Sequence, residues 1–363
     1  MPQPLKIAVI AGDGIGPEVV GASLEVLKKV APACGLTYET TDFPFSAAHF
    51  LATGHVLSDA DIATLRGFDA ILLGAVGGLP NDPRLAGGVI EKGILLKLRF
   101  ELDQYINLRP VSLYPGIETP LKNKTAADID FVCVRENTED LYCGVGGFVR
   151  KGTSQEIASQ TMIATRFGVE RCIRYAFDLA KTRARKHLTL VHKTNVLTFA
   201  GDTWHRAFQE IAVEYDDVTT AYHHVDACCM FMVTKPEVYD VIVVPNMFGD
   251  IITDLGAAIA GGMGIASSGN LNPDGVAPGM FEPVHGSAPD IAGKNQANPI
   301  ATIDSLGLLL RETGRIHANA AAVKAGERIG QAVRAATPRF AGKSLDRSGL
   351  GTDEIGQIVA DAL

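Results

Sequence analysis

Apolar positions in this chain come in short unbroken runs that alternate with stretches where they return every three or four residues. The opening stretch, KIAVIAGDGIGPEVVGASLEVLKKV from Lys6, holds both. It has an apolar run, a turn built on Gly12, Gly14 and Gly16, then Val20, Leu24 and Leu27 on one helical stripe behind Pro17. Strand, turn and helix follow from that order. The same alternation predicts a strand over 36–43, a helix starting near Ser58, the strand DAILLGAVGG and a helix from about Ile90 to Tyr105. Further along it predicts the strand IDFVCVREN, a helix from Phe167 to Thr182, the strand LTLVHKTNV, a helix around Trp204, and the run VIVVP leading into the apolar helix NMFGDIITDLG. Such a chain is of the α/β class. Its 363 residues suggest two domains, but no repeat, low-complexity tract or linker marks a boundary between them.

Composition narrows the partners. The chain is 47% hydrophobic and carries a net charge of −8, which argues against a nucleic-acid or anionic-membrane surface while leaving room for a local basic pocket that takes a small anion. The six cysteines show no CxxC spacing, so neither a zinc site nor a disulfide framework is indicated, and a reducing cytoplasm fits best. MPQPLKIAVIAGDG enters a strand directly without the apolar region of a signal peptide, and no run approaches a membrane span. The expected setting is cytoplasmic.

Several residues carry candidate chemistry, each with a plainer explanation beside it. The turn GDGIG has GxGxG spacing where a dinucleotide fingerprint needs GxGxxG, so a simple tight turn or another kind of cofactor contact is favoured over a Rossmann site. Asp250 and Asp254 lie one helical turn apart, where like charges repel unless something positive sits between them. For an isolated pair, a helix cap and a solvated charge would be the default. Asp226, at another strand-to-helix junction, adds a third oxygen donor, a set that suits Mg²⁺ or Mn²⁺. Arg99, Arg109 and Arg135 recur at element ends; each alone reads as a surface or interface residue, but together they would clamp a substrate with two carboxylates. Leu95, Leu98, Leu102 and Tyr105 are expected to form the core stripe of their helix, leaving Leu96 and Arg99 on another face. Lys193 interrupts an apolar strand and Tyr142 follows Arg135 closely; a solvated lysine and a core or interface aromatic are the defaults, with proton transfer the sharper alternative for Lys193. FEPVHGSAPDIAGKNQANP, residues 281–299, is long, nearly without regular structure and suited to a nucleotide: His285 and backbone amides for adenine and phosphates, Asp290 for a ribose 2′-hydroxyl.

Six motifs in order, GDGIGPEV, NLRP, VRENTEDLY, VHKTNVL, NMFGDIITDL and FEPVHGSAPDIAGK, with the tail GLGTDEIGQIV, resemble those of the β-decarboxylating dehydrogenases that act on isopropylmalate, isocitrate, homoisocitrate, tartrate and D-malate. The resemblance runs from about residue 6 to the tail. It implies a two-lobed isopropylmalate dehydrogenase-like fold that is not a standard Rossmann fold, with residues 1–104 and 265–363 in a first, cofactor-binding lobe and 105–264 in a second. It also implies a homodimer with shared active sites, Lys193 and Asp226 coming from the neighbouring subunit. By motif, Asp226, Asp250 and Asp254 would hold Mg²⁺ or Mn²⁺, and Arg99, Arg109 and Arg135 would grip the malate carboxylates. Lys193 would take the C2 hydroxyl proton as hydride leaves for the nicotinamide. The metal would stabilise the enolate formed on loss of CO₂, and Tyr142 would protonate C3. Ile15, His285, Gly286, Ser287, Ala288 and Asn298 would meet the cofactor, and Asp290, where NADP-dependent relatives carry a lysine, implies NAD.

Substrate choice within the family is read at the helix before Arg99, where isopropylmalate enzymes often have the leucine pair that Leu95 and Leu96 supply here. An isopropyl group would bury against them at about 0.8 kcal/mol per CH₂. 3-Isopropylmalate, and with it leucine biosynthesis, is the first expectation, and tartrate or D-malate the second. Lys92 stands near where an acidic residue is common, RENTEDLY is closer to the isocitrate and tartrate branches, and Asp140 stands where a glycine is usual. A metal-dependent phosphohydrolase or a catalytically silent subunit are the rivals from other classes.

Overall fold

The structure, a computed structural model, describes residues 3–79, 81–340 and 349–363. The apolar runs become strands: β1 (Leu5–Gly12), β2 (Tyr38–Asp42), β3 (Ala70–Ala75), β4 (Ile106–Ser112), β5 (Asp130–Glu136), the short β6 (Gly146–Val149) and β7 (Ile157–Gln160), then β8 (His187–His192), β9 (Thr219–His224), β10 (Val241–Val244), β11 (Ser267–Leu271) and β12 (Gly279–Pro283). Between them run α1 (Gly16–Cys34), α2 (Ala47–Thr53), α3 (Asp59–Leu65), α4 (Lys97–Glu101), α5 (Arg166–Thr182), α6 (Thr198–Ala212), α7 (Val225–Thr234), α8 (Asn246–Ile259), α9 (Ile300–Ile316), α10 (Ala320–Ala336) and α11 (Thr352–Asp361).

Ten strands form one sheet in the order β2-β1-β3-β12-β11-β4-β5-β10-β8-β9, and β6 and β7 pair separately as a two-stranded arm. Pairing is parallel from β2 to β12 and from β5 to β9. The central pair β11 and β4 runs antiparallel to each other and to their outer neighbours. The order differs from the Rossmann arrangement. The chain crosses the middle of the sheet twice, between α4 and β4 and again between α8 and β11.

Side-chain alternation along the strands decides where a site can form. One set of strand residues, including Ile7, Leu72, Leu108, Val134, Leu190 and Val243, joins a single apolar core under α1, α5, α6, α9, α10 and α11 that spans both halves of the sheet. The opposite face has two separate cores. Ile10, Leu73 and Met280 pack with α2 to α4, while Phe131, Cys133, Ile242 and Val244 pack with α7 and α8. Between those two cores the same strand face turns polar: Glu282 on β12, Ser268 and Asn270 on β11, Asn107 and Arg109 on β4, and Arg135 on β5 are all buried. A polar cleft is therefore set between two apolar blocks.

Three expectations need correction. The helix placed over 90–105 is a six-residue π-helix, Glu91–Leu96, followed by α4, and it ends in a turn at Asp103 with φ of 43°. The wider i→i+5 turn moves the core stripe to Ile90, Ile94, Leu98 and Leu102, with Leu95 at its rim, and Tyr105 joins the core on the other face of the sheet. The strand placed over 36–43 is the shorter β2, and residues 281–283 of the stretch expected to be irregular belong to β12. The six cysteines are free, and among the described residues no helix is long and apolar enough to cross a membrane.

Register across the π-helix is testable by truncation. Ile94→Ala, at a fully buried site, is expected to lower unfolding stability by about 2–5 kcal/mol, and Leu95→Ala by clearly less. Denaturant titration of both variants checks the order.

Candidate active site

Strand alternation and the end of α4 bring Arg109, Arg135 and Arg99 to the cleft, where they are 7%, 0% and 4% exposed. Charges so far from water need partners. Arg99 donates from Nη2 to Glu282 Oε1 at 3.1 Å, and Glu282 also accepts from Asn270 Nδ2 at 2.9 Å. Arg135 is paired with Asp250 through Nη1 and donates from Nε to Asn246 Oδ1 at 2.9 Å. Arg109 donates to Thr253 Oγ1 at 2.6 Å and has Asp250 and Asp254 each 3.7 Å from a terminal nitrogen. The positive group between the two aspartates, within this chain, is thus a guanidinium. Arg99 Nε, Arg109 Nε and Arg135 Nη2 are buried with no hydrogen-bond partner among the described residues. Burial and the neighbouring arginines lower Arg109 to about 10, and burial lowers Arg99 despite Glu282. The cluster holds donor capacity that a carboxylate would satisfy.

Gly249 lets α8 lie directly over Arg135, since a Cβ there would fall 2.5 Å from Arg135 Cγ. That approach presents the Asp250 and Asp254 side chains to the arginines. Burial alone would raise Asp250, but the Arg135 and Arg109 charges and a 2.9 Å hydrogen bond from the Tyr142 hydroxyl outweigh it and hold the carboxyl below its ordinary value. Asp254, one turn on, is raised by burial, with the Asp250 charge adding to the effect against Arg109. Tyr142 is raised, chiefly by burial, so its hydroxyl keeps its proton. Asp140 has φ of 68°, the left-handed region that explains a glycine as the usual occupant. Its own reason is a cap: Oδ2 accepts from the Met247 amide at 2.8 Å in the first turn of α8, where Pro245 offers no capping side chain.

Lys193 and Asp226 form a second group. Lys193 leaves the end of β8, Asp226 lies in the first turn of α7, and Nζ donates to Oδ1 at 2.7 Å. That hydrogen bond holds the Asp226 carboxyl below its ordinary value. Asp226 is largely exposed, and among the described residues no three carboxylates, histidines or cysteines gather for a metal ion. Asp226 therefore does not meet Asp250 and Asp254 within one chain. Beside Lys193, His192 is fully buried, packs edge-on against Phe248 of α8 with ring centroids 5.9 Å apart, and has neither ring nitrogen paired among the described residues. Burial lowers it to about 4.

The loop after β12 docks on the glycine turn. Ile15 donates its amide to the Ser287 carbonyl at 2.9 Å, and Ile15, Val19 and Ala297 form a small apolar cluster that Ala288 and Ile291 complete. Asp13 ties the turn to the start of α2 and to the segment after β3, its carboxylate accepting from the amides of Ala47, Ala48 and Gly77 at 2.7–3.0 Å. The turn's own amides of Asp13, Ile15 and Gly16 are taken by the carbonyls of Ala75, Ser287 and Asp13, so the turn is not a pyrophosphate cradle. His285 is bound to the Gly286 carbonyl through Nδ1, is lowered by burial, and leaves a buried Nε2 without a partner among the described residues. Asn298 caps the start of α9 through the Ile300 amide at 3.1 Å, and Asp290 and Gly286 are exposed. Leu95 packs on the core of α2 to α4, whereas Leu96 is half-buried outside the apolar clusters of the described residues. Leu96 is the freer of the two to face a ligand. Lys92 is exposed and without an ion-pair partner among the described residues.

Residues 6–359 match the family model described as isocitrate/isopropylmalate dehydrogenase. The chain belongs to the isocitrate/isopropylmalate dehydrogenase family. It is 55% identical over 363 residues to a 3-isopropylmalate dehydrogenase of Clavibacter michiganensis subsp. michiganensis, covering 100% of this chain and 99% of that one. It is 57% identical over 318 residues to the 3-isopropylmalate dehydrogenase of Thermobifida fusca, 88% of each. Among solved structures, isocitrate dehydrogenase from Methylococcus capsulatus superposes with a TM-score of 0.85 at 34% identity over 99% of both chains.

For a family member read from sequence, the residues left out are the uncharged and acidic partners of the arginines. Glu282, Asn270 and Asn246 sit in strands and a helix start, where their residue types are unremarkable, and Glu282 falls in the stretch expected to be irregular. Two measurements probe the geometry. Gly249→Ala should displace Arg135, lower stability by about 1–3 kcal/mol and reduce kcat/KM beyond that loss. His192 binds a proton less readily folded than unfolded, so stability should rise with pH between about 4 and 6.5 by up to about 1.4 kcal/mol per pH unit. His192→Leu should flatten that slope in denaturant titrations run across the window.

Proposed function

We propose that this chain catalyses the NAD-dependent oxidative decarboxylation of 3-isopropylmalate to 2-oxo-4-methylpentanoate, and so serves leucine biosynthesis. The observation that carries it is the cluster of three buried arginines with unsatisfied N–H groups facing the Asp250 and Asp254 carboxylates. Arg99, Arg109 and Arg135 hold the two carboxylates of the diacid and exclude water around them. Residues 1–104 with 265–363 and residues 105–264 are the two lobes that flank it. Lys193 accepts the proton of the C2 hydroxyl, and Tyr142, kept protonated by burial, delivers one to C3.

Asp250 and Asp254, joined by Asp226 of a second copy, offer the all-oxygen set that suits Mg²⁺ or Mn²⁺. When bound, such an ion supplies positive charge at the C2 oxygen, and NAD supplies the hydride acceptor. Supporting a homodimer, Met230, Val233 and Ile251 on α7 and α8, and Phe148, Val149 and Ile157 on the arm, are exposed large apolar side chains. The NAD preference rests on Asp290, an exposed carboxylate that a 2′-phosphate would have to face.

The test is NADH formation with Mn²⁺ and NAD, comparing 3-isopropylmalate, D-malate, tartrate, isocitrate and homoisocitrate. The highest kcat/KM is expected for 3-isopropylmalate, with Leu96→Ala lowering it by about tenfold; a higher value for a smaller or more acidic substrate overturns the substrate assignment. Asp290→Lys should raise kcat/KM for NADP relative to NAD by about tenfold or more.

A further inference from the structure

Arg171 of α5 lies on the face of the sheet away from the cleft, yet it touches both segments that carry the arginine clamp. Its guanidinium meets Asp103 with two parallel hydrogen bonds, Nη1 to Oδ2 at 2.7 Å and Nη2 to Oδ1 at 2.8 Å. It lies between two rings, 4.0 Å from the Tyr105 centroid and 4.6 Å from that of Phe167. Nη2 also donates to Thr138 Oγ1 at 3.1 Å. The side chain is 16% exposed.

Asp103 comes four residues after Arg99 and six before Arg109, in the turn that joins α4 to β4, and its φ of 43° is one a non-glycine residue holds only when its surroundings impose it. Thr138 comes three residues after Arg135 and four before Tyr142, in a turn that Glu136 closes by accepting from the Thr138 and Glu139 amides at 2.7 and 2.9 Å. The two turns are tied to each other as well: Asn137 Nδ2 donates to the Gln104 carbonyl at 2.8 Å, and its amide to the Tyr105 carbonyl at 3.2 Å. A planar fork stacked on aromatic rings fixes direction as well as charge.

We infer that Arg171 is a positioning residue for the substrate clamp, locking the 103–105 turn and the 136–138 turn so that Arg99, Arg109 and Arg135 keep the mutual setting a diacid requires. This rests on the proposed role of those three arginines in binding substrate carboxylates. None of the atoms of Arg171 needs to reach the substrate. Its effect is geometric: a turn free to relax lets Arg99 move against Arg109 and Arg135.

The test compares Arg171→Met, which removes the fork but keeps a long stem, Asp103→Asn, the double variant, and Arg171→Lys. KM is read with whichever 2-hydroxy diacid the wild type oxidises best, so a wrong substrate assignment shows in the wild type and a failed positioning role only in the variants. Arg171→Met is expected to raise that KM by about tenfold or more while the Kd for NAD stays within about twofold. Asp103→Asn should act in the same direction, the double variant should be no worse than Arg171→Met, and Arg171→Lys should recover only part of the loss. Amide hydrogen exchange should quicken in 99–109 and 135–142. Variants that unfold at lower temperature but keep the wild-type KM, single effects that multiply in the double variant, or a Kd for NAD that rises in step with KM would each overturn the inference.

Discussion

Everything in the cleft depends on three arginines held out of water with N–H groups left unpaired among the described residues. Arg135 is fully enclosed, Arg99 and Arg109 nearly so, and the acidic groups that reach them are Glu282, Asp250 and, at longer range, Asp254. A buried charge is tolerable only when paired and hydrogen-bonded. The remaining N–H groups point the cluster towards a ligand that brings carboxylates with it, and the lowered Asp250 shows the same field acting on the protein's own acid.

The architecture makes that tolerable. A continuous apolar core on one face of the ten-stranded sheet ties both halves together, while the other face is divided into two blocks, so polar residues at central strand positions open into a cleft without breaking the core. Three small devices then set the geometry. Gly249 lets α8 approach Arg135, Asp140 caps that helix from a left-handed turn, and Asp13 ties the glycine turn to the start of α2 and to Gly77 through its carboxylate. The groups that would move protons sit at two edges of the arrangement, Tyr142 on Asp250 and Lys193 on Asp226.

How much of this was legible in the sequence follows from what a sequence encodes locally. The alternation of apolar runs and helical stripes is local, and it reads through to the strands and most helices. The spacing of Asp250 and Asp254 is local too, and it raised the right question, a positive charge between them; that Arg109 answers it within the chain depends on β4 lying beside α8, which no spacing shows. The π-helix at 91–96 was hidden because one widened turn leaves the residue types of an ordinary helix, and it moved the core from Leu95 to Ile94. Glu282 and Asn270 were hidden for a different reason: their role is defined only by a partner 183 residues away in one case and 12 in the other.

The separation of Lys193 and Asp226 from Asp250 and Asp254 within one chain gives the central claim, a site completed by a second copy, its most direct test. Lys193→Ala and Asp250→Asn, each inactive alone, would be unfolded together, refolded as a mixture and assayed. A site shared between subunits predicts recovery of about a quarter of wild-type activity, because a mixed dimer carries one site with both substitutions and one with neither. No recovery, with mixed dimers demonstrated by mass, would contradict it and confine the chemistry to a single chain.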